Sequence, residues 1–195
     1  MYLCRHGQVV GDGKRRYNGH RDVDITADGV RQMERLKDTL RDAGLTAIYS
    51  SDLIRSERGA KIIGEPHHAP IICRPQFKER NVGVWEGMSF DEIGESYPDE
   101  WRAWLNDVVH FAPPGGESLL NVSDRVLPAL KEALSENMGG EILLVGHGGV
   151  NRVILSDALG LDLKHIFRIE QDYGALNIID YYDDGMPVVK LLNGV

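Results

Sequence analysis

Residues 141–146 read Glu-Ile-Leu-Leu-Val-Gly, and this run constrains the fold more than any other stretch of the chain. Consecutive apolar residues over so short a length suit a strand buried on both faces. Such strands belong to parallel sheets with helices on each side. The run passes directly into His147-Gly148-Gly149 and a helical pattern reaching about Leu159. The same device stands at the start of the chain, where Tyr2, Leu3 and Cys4 lead into Arg5, His6 and Gly7. A strand that ends in charge and then bends puts those side chains at the carboxyl edge of the sheet. That edge is where open α/β folds bind ligands. A lone His at such a place suits a satisfied core residue, but two of them are less easily dismissed.

Elsewhere helices and strands alternate. Residues 8–24 are polar and glycine-containing, a loop long enough to be functional. Its run Lys14-Arg15-Arg16 reads as a solvated face for at least two of the three. Thr26 suits an N-cap, Val30, Met33, Leu36 and Leu40 repeat at helical spacing, and Gly44 ends that helix. Residues 46–49 read as a strand. The helix after it reaches Ile63 and is capped by Ser51 or Asp52, with Arg55 in its first turn. Residues 70–73 read as another strand, followed by the loop 77–87 with Glu79 and the apolar anchor Trp85. Short helices are expected from Ser89 to Tyr97 and from Asp99 to Val108. The breaker Pro113-Pro114-Gly115-Gly116 precedes a long amphipathic helix ended by Gly139 and Gly140. The tail alternates around Ile178, turns at Asp184-Gly185 and returns, which predicts a hairpin.

The 195 residues suit a single domain, 1–195, with 42% hydrophobic and 27% charged residues. A net charge of −8 argues against nucleic acid as a partner and repels anions at long range. Any phosphate site must therefore be a local concentration of Arg and His. Cys4 and Cys73 lack CxxC spacing and read as two buried thiols of a reducing compartment. No apolar run is long enough to cross a membrane, and the N-terminus has no signal-peptide pattern, so the expected location is cytoplasmic. His67-His68 has no Cys or carboxylate at ligand spacing and reads as surface loop, so no metal is expected.

On a parallel sheet Arg5, His6, Arg55, Glu79 and His147 all fall near strand ends or helix starts. Together they suit phosphoryl transfer. Arginines and a His neutralise the non-bridging oxygens, a second His attacks phosphorus, and a carboxyl group protonates the leaving oxygen. Glu79 also has a plainer reading, a surface carboxylate paired with Lys78 or Arg80. Glu86 and Glu117 are rival acids.

These residues resemble the histidine phosphatase (phosphoglycerate mutase-like) superfamily. The matching stretches are Leu3-Cys4-Arg5-His6-Gly7, Tyr17-Asn18-Gly19-His20-Arg21-Asp22 with Ile25-Thr26, and Ser50-Ser51-Asp52-Leu53 with Arg55. Glu79 with Gly83 and Trp85-Glu86-Gly87, Gly115-Gly116-Glu117-Ser118 and Gly146-His147-Gly148-Gly149 complete the set. They keep the family's order over nearly the whole chain. The resemblance implies a three-layer α/β sandwich with a mostly parallel sheet and a phosphohistidine at His6. It also implies a phosphate pocket of Arg5, Arg55 and His147, Glu79 as proton donor, and no cofactor. Asn18 and Gly148, from the matched stretches, join the binding set. Many members carry Glu-Thr after Arg-His-Gly and a phosphate-contacting Asn a few residues later. Here Gln8-Val9 follows and Asp12 stands where that Asn would be, so Asp12 is expected to point away and Gln8 to supply the hydrogen bond.

Three activities compete: a phosphomonoesterase, a phosphoglycerate mutase, and a phospholigand-binding domain without turnover. The short stretch from Met88 to Pro114 and the short tail favour the phosphomonoesterase. The segment Tyr17-Asn18-Gly19-His20 looks like the α-ribazole phosphatase branch. Expected partners are a small phosphate ester and, at most, a second copy of the chain as a homodimer.

Overall fold

The structure, a computed structural model, describes residues 1–11 and 16–194; Asp12, Lys14 and Arg15 lie outside the described residues. Six strands form one sheet: β1 (Tyr2–Arg5), β2 (Leu45–Ser50), β3 (Ile71–Cys73), β4 (Glu141–Gly146), β5 (Leu176–Tyr181) and β6 (Pro187–Gly194). Their spatial order is β3-β2-β4-β1-β5-β6. Strands β1 to β4 pair in parallel, and β5 runs antiparallel to both β1 and β6. The expected mostly parallel sheet and terminal hairpin are both present.

Helices cover the two faces because strand residues alternate in direction. Leu3, Tyr49, Ile142 and Leu144 face α5 (Leu119–Glu136) and α6 (Gly148–Ala158). Cys4, Ile48, Leu143 and Val145 face α1 (Ala27–Thr39) and α2 (Ile54–Gly64). Thr26 caps α1 by accepting from the Gly29 N–H. Ser118 caps α5 reciprocally with Asn121, and Leu119, Val122, Val126, Leu130 and Ala133 bury its apolar face. Two short helices, α3 (Phe90–Ser96) and α4 (Pro98–Asn106), form a smaller cluster of Trp85, Ile93 and Trp104. Ser89 and Glu92 make a capping box on α3, and Pro98, instead of only stopping it, opens α4.

Three local expectations need correction. Helix α1 ends at Thr39 with Leu40 as C-cap, four residues before Gly44. Helix α2 takes Leu53 as N-cap with no side-chain bond from that residue. Its Ile54 N–H is accepted by Asp22 from the distant loop at 2.8 Å, while Asp52 turns to Lys78 at 2.8 Å. Cys73 is exposed, because three-residue β3 lies at the sheet edge; only Cys4 is buried.

Candidate active site

Strand register brings the two histidines together. Arg5 stands opposite Gly146 across the parallel β1–β4 pair, so the next residues, His6 and His147, leave the sheet side by side. Their ring centroids are 5.1 Å apart, and both side chains are buried. On the other side of β4, Ser50 pairs with Val145, which brings Ser51 up to His147. Gly7 is glycine for packing: a Cβ there would lie 2.3 Å from the Gly29 carbonyl oxygen of α1. Helix α1 therefore closes directly over the backbone that follows His6.

His6 Nδ1 lies 2.8 Å from the Gly7 carbonyl. A carbonyl only accepts, so Nδ1 carries the proton and Nε2 keeps its lone pair. Burial, and then the charges of Arg55 and Arg5, hold the pKa of His6 well below 6.5. His147 is lowered in the same way, by burial first and then by Arg55. Both rings are neutral near pH 7, which leaves His6 nucleophilic.

The cations are held in turn. Arg5 donates to the Gln171 carbonyl at 2.6 Å and lies 3.8 Å over the Tyr173 ring, while its buried Nε–H has no partner among the described residues. Arg55, 1% exposed, donates to the carbonyls of Arg21, Asn18 and Gly19 at 2.7–2.9 Å. Among the described residues these bonds engage three of its five N–H groups. Glu86 grips the same loop from its other side, accepting from the N–H groups of Gly19, His20 and Arg21. The rival acid Glu86 is thus committed to loop structure.

Glu79 follows the short turn after β3 and reaches across to α6. One carboxylate oxygen accepts from the Gly149 N–H at 2.9 Å, the other from its neighbour Arg80 N–H at 2.8 Å. A Cβ on Gly149 would come within 2.5 Å of that carboxylate. Arg125 on α5 donates to the carbonyls of Gln76, Lys78 and Glu79 and grips Glu117 with two nitrogens. Glu117 is further tied to the Asn81 N–H, so this second rival also serves the loop.

Arg5, His6, Arg55, Glu79, Asn18 and Gly148 all line one cavity of about 420 Å³. His147 lies buried beneath it against His6. Gln8 is not among the lining residues; its side-chain oxygen accepts from the Thr26 hydroxyl at 3.0 Å. Sequence reasoning missed the Arg125 clamp, the Tyr173 cover and Arg16, which bonds Glu92 and lines the cavity. Each depends on partners far away in sequence. The cavity wall also includes Tyr17, Phe90, Trp104 and Phe167. Phe90 and Phe167 are about half exposed, and their rings lie 6.0 and 5.6 Å from Trp104.

The two neutral imidazoles carry a stability consequence. The unfolded chain protonates them near pH 6.5 and the native chain does not, so stability falls as pH drops through that value. Each contributes a slope of up to about 1.4 kcal/mol per pH unit until its native pKa is reached. Urea midpoints at about pH 7.5 and about pH 5.5 should differ less in His147→Gln than in the parent. Equal pH slopes in the two proteins would contradict the neutral assignment.

Comparisons with known proteins bear on the fold and the family. The chain is 32% identical over 183 residues to a protein of Escherichia fergusonii named "Probable phosphoglycerate mutase GpmB", covering 94% of this chain and 85% of that one. The α-ribazole phosphatase of Shigella flexneri superposes with a TM-score of 0.89 at 26% identity, over 99% of this chain and 95% of that one. Bacillus stearothermophilus YhfR gives 0.91 at 28% identity, over 100% and 96%. The profile of the histidine phosphatase superfamily, branch 1, matches residues 1–194. With its two strand-end histidines side by side and a phosphatase fold throughout, this chain belongs to the histidine phosphatase superfamily and is an enzyme of the phosphatase class.

Proposed function

We propose that the chain is a phosphomonoesterase working through a phosphohistidine at His6. The observation that carries this reading is His6 itself, its proton held by the Gly7 carbonyl and Nε2 left with its lone pair beside Arg5 and Arg55. Nε2 attacks phosphorus and the ester P–O bond breaks. Arg5, Arg55, His147 and the N-terminus of α6 take up the charge on the non-bridging oxygens. Glu79, protonated, gives its proton to the leaving alkoxide. As carboxylate it then takes a proton from water, whose oxygen attacks phosphorus. The N–P bond breaks, releasing inorganic phosphate and neutral His6.

The leaving group we propose is a planar apolar one carried on a sugar, with α-ribazole 5'-phosphate as the leading candidate. Support comes from the aromatic wall of Tyr17, Phe90, Trp104 and Phe167 and from the likeness to an α-ribazole phosphatase. A second reading, phosphoglycerate mutase, is favoured by the name of the curated relatives.

A turnover panel separates the two. Release of phosphate from α-ribazole 5'-phosphate and aryl esters, faster than from 3-phosphoglycerate, is expected. Interconversion of phosphoglycerates stimulated by 2,3-bisphosphoglycerate would favour the mutase. Pocket charge comes from arginines, so activity is expected to survive exhaustive EDTA treatment. A loss restored by one divalent ion would overturn that expectation.

A further inference from the structure

His147 is engaged on one side only. Its Nε2 lies 2.7 Å from the Ser51 hydroxyl, while its Nδ1 is buried with no partner among the described residues. A buried polar atom without a protein partner needs an explanation, and a ligand is one. The His6 ring lies beside it, and the cations that act on it are Arg55 and Arg5, which line the cavity, and Arg125 on α5.

The Ser51 hydroxyl already accepts from the Leu53 N–H at 3.2 Å. It has one proton to give, and the His147 Nε2 is the acceptor within reach among the described residues. If instead Nε2–H donated to Ser51, a buried hydroxyl proton would go unpaired and Nδ1 would present a lone pair towards an anion. Ser51 is itself fixed in place. Its N–H donates to the Ser56 hydroxyl at 3.0 Å, and Ser56 donates to the Val145 carbonyl at 2.6 Å. All three side chains, Ser51, Ser56 and His147, are fully buried.

We propose that Ser51 is a positioning residue: by donating to Nε2 it fixes His147 as the Nδ1–H tautomer, so that an N–H and not a lone pair meets the phosphoryl group. The inference rests on the cavity being a phosphoryl-transfer site, but its central test needs no substrate. Long-range 1H–15N correlation on protein labelled with 15N-histidine reads the tautomer directly, with His147 assigned by its loss in His147→Gln. The wild type is expected to show Nδ1–H, with a further shift of that nitrogen when inorganic phosphate is added. In Ser51→Ala the Nε2–H form should appear, and kcat/KM should fall about 10- to 100-fold, the usual range for an orienting partner. An Nε2–H signature in the wild type would overturn the proposal whatever the kinetics. So would a Ser51→Ala protein that keeps the Nδ1–H form, or one that changes tautomer with turnover intact. If the wild type turns over no ester, the reading of the cavity fails, while the tautomer still judges Ser51 separately.

Discussion

Replacing His6 by alanine is expected to lower turnover of every phosphate ester by on the order of 10⁴-fold or more, the scale seen when a nucleophile is removed. His6 is the one imidazole on the cavity wall among the described residues. His147 is wholly buried with one nitrogen against Ser51, and the other ionisable lining residues are arginines, which do not attack, with Tyr17, Tyr173 and the carboxylates Glu79, Glu170 and Asp172. Rapid quenching of wild type with a labelled ester should trap a phosphoenzyme that is labile in acid and stable in base. The His6→Ala protein should trap none. Its fold should persist, since the Gly7–Gly29 contact and the β1–β4 register are backbone features that it leaves alone. Undiminished turnover would remove the phosphohistidine from the mechanism.

The second large effect is selective. Glu79→Gln is expected to slow phosphoryl transfer from alkyl phosphates by about 10²- to 10⁴-fold, the usual worth of a general acid. With p-nitrophenyl phosphate the loss should be far smaller, because nitrophenolate leaves without a proton. The comparison belongs in single-turnover formation of phospho-His6, since the later attack of water needs the same carboxylate for both esters. Gln keeps one oxygen able to accept from Gly149 or Arg80, so the loop should stay docked. An equal loss on both esters would make Glu79 a structural residue. Glu86 and Glu117 are poor substitutes, because Glu79 lines the cavity and neither of them is among its lining residues.

The parts of the fold legible in the sequence are those written in contiguous residues. The apolar run before His147 announced a buried parallel strand, and Thr26 announced its cap by local hydrogen bonding. Partners across the chain were not legible. Ser51 looked like a helix cap, but its hydroxyl meets His147, 96 positions on, and the Ile54 N–H is served by Asp22. Arg125 sits on an amphipathic helix, where periodicity tells a polar position from an apolar one but not a solvated Arg from one holding three carbonyls. Cys73 misled because an apolar run says nothing of whether its strand lies in the middle of a sheet or at its edge. The two readings open for Glu79, ion pair or pocket residue, were closed by Lys78 turning to Asp52 and the carboxylate to α6.

The aromatic wall has a consequence for how such an enzyme changes over generations. Phe90 opens α3, Trp104 sits on α4 and Phe167 lies in the turn before β5, so the wall is assembled from separate pieces of chain. The exposed rings Phe90 and Phe167 touch other rings, whereas Arg55, Glu79 and Arg125 are laced to backbone. On the proposed reading, mutation at the two outer rings is expected to exchange one ester for another while the phosphate chemistry is kept, and mutation within the laced residues is expected to forfeit both at once. Substrate preference is then the trait this architecture leaves free to change, and the reaction the one it holds.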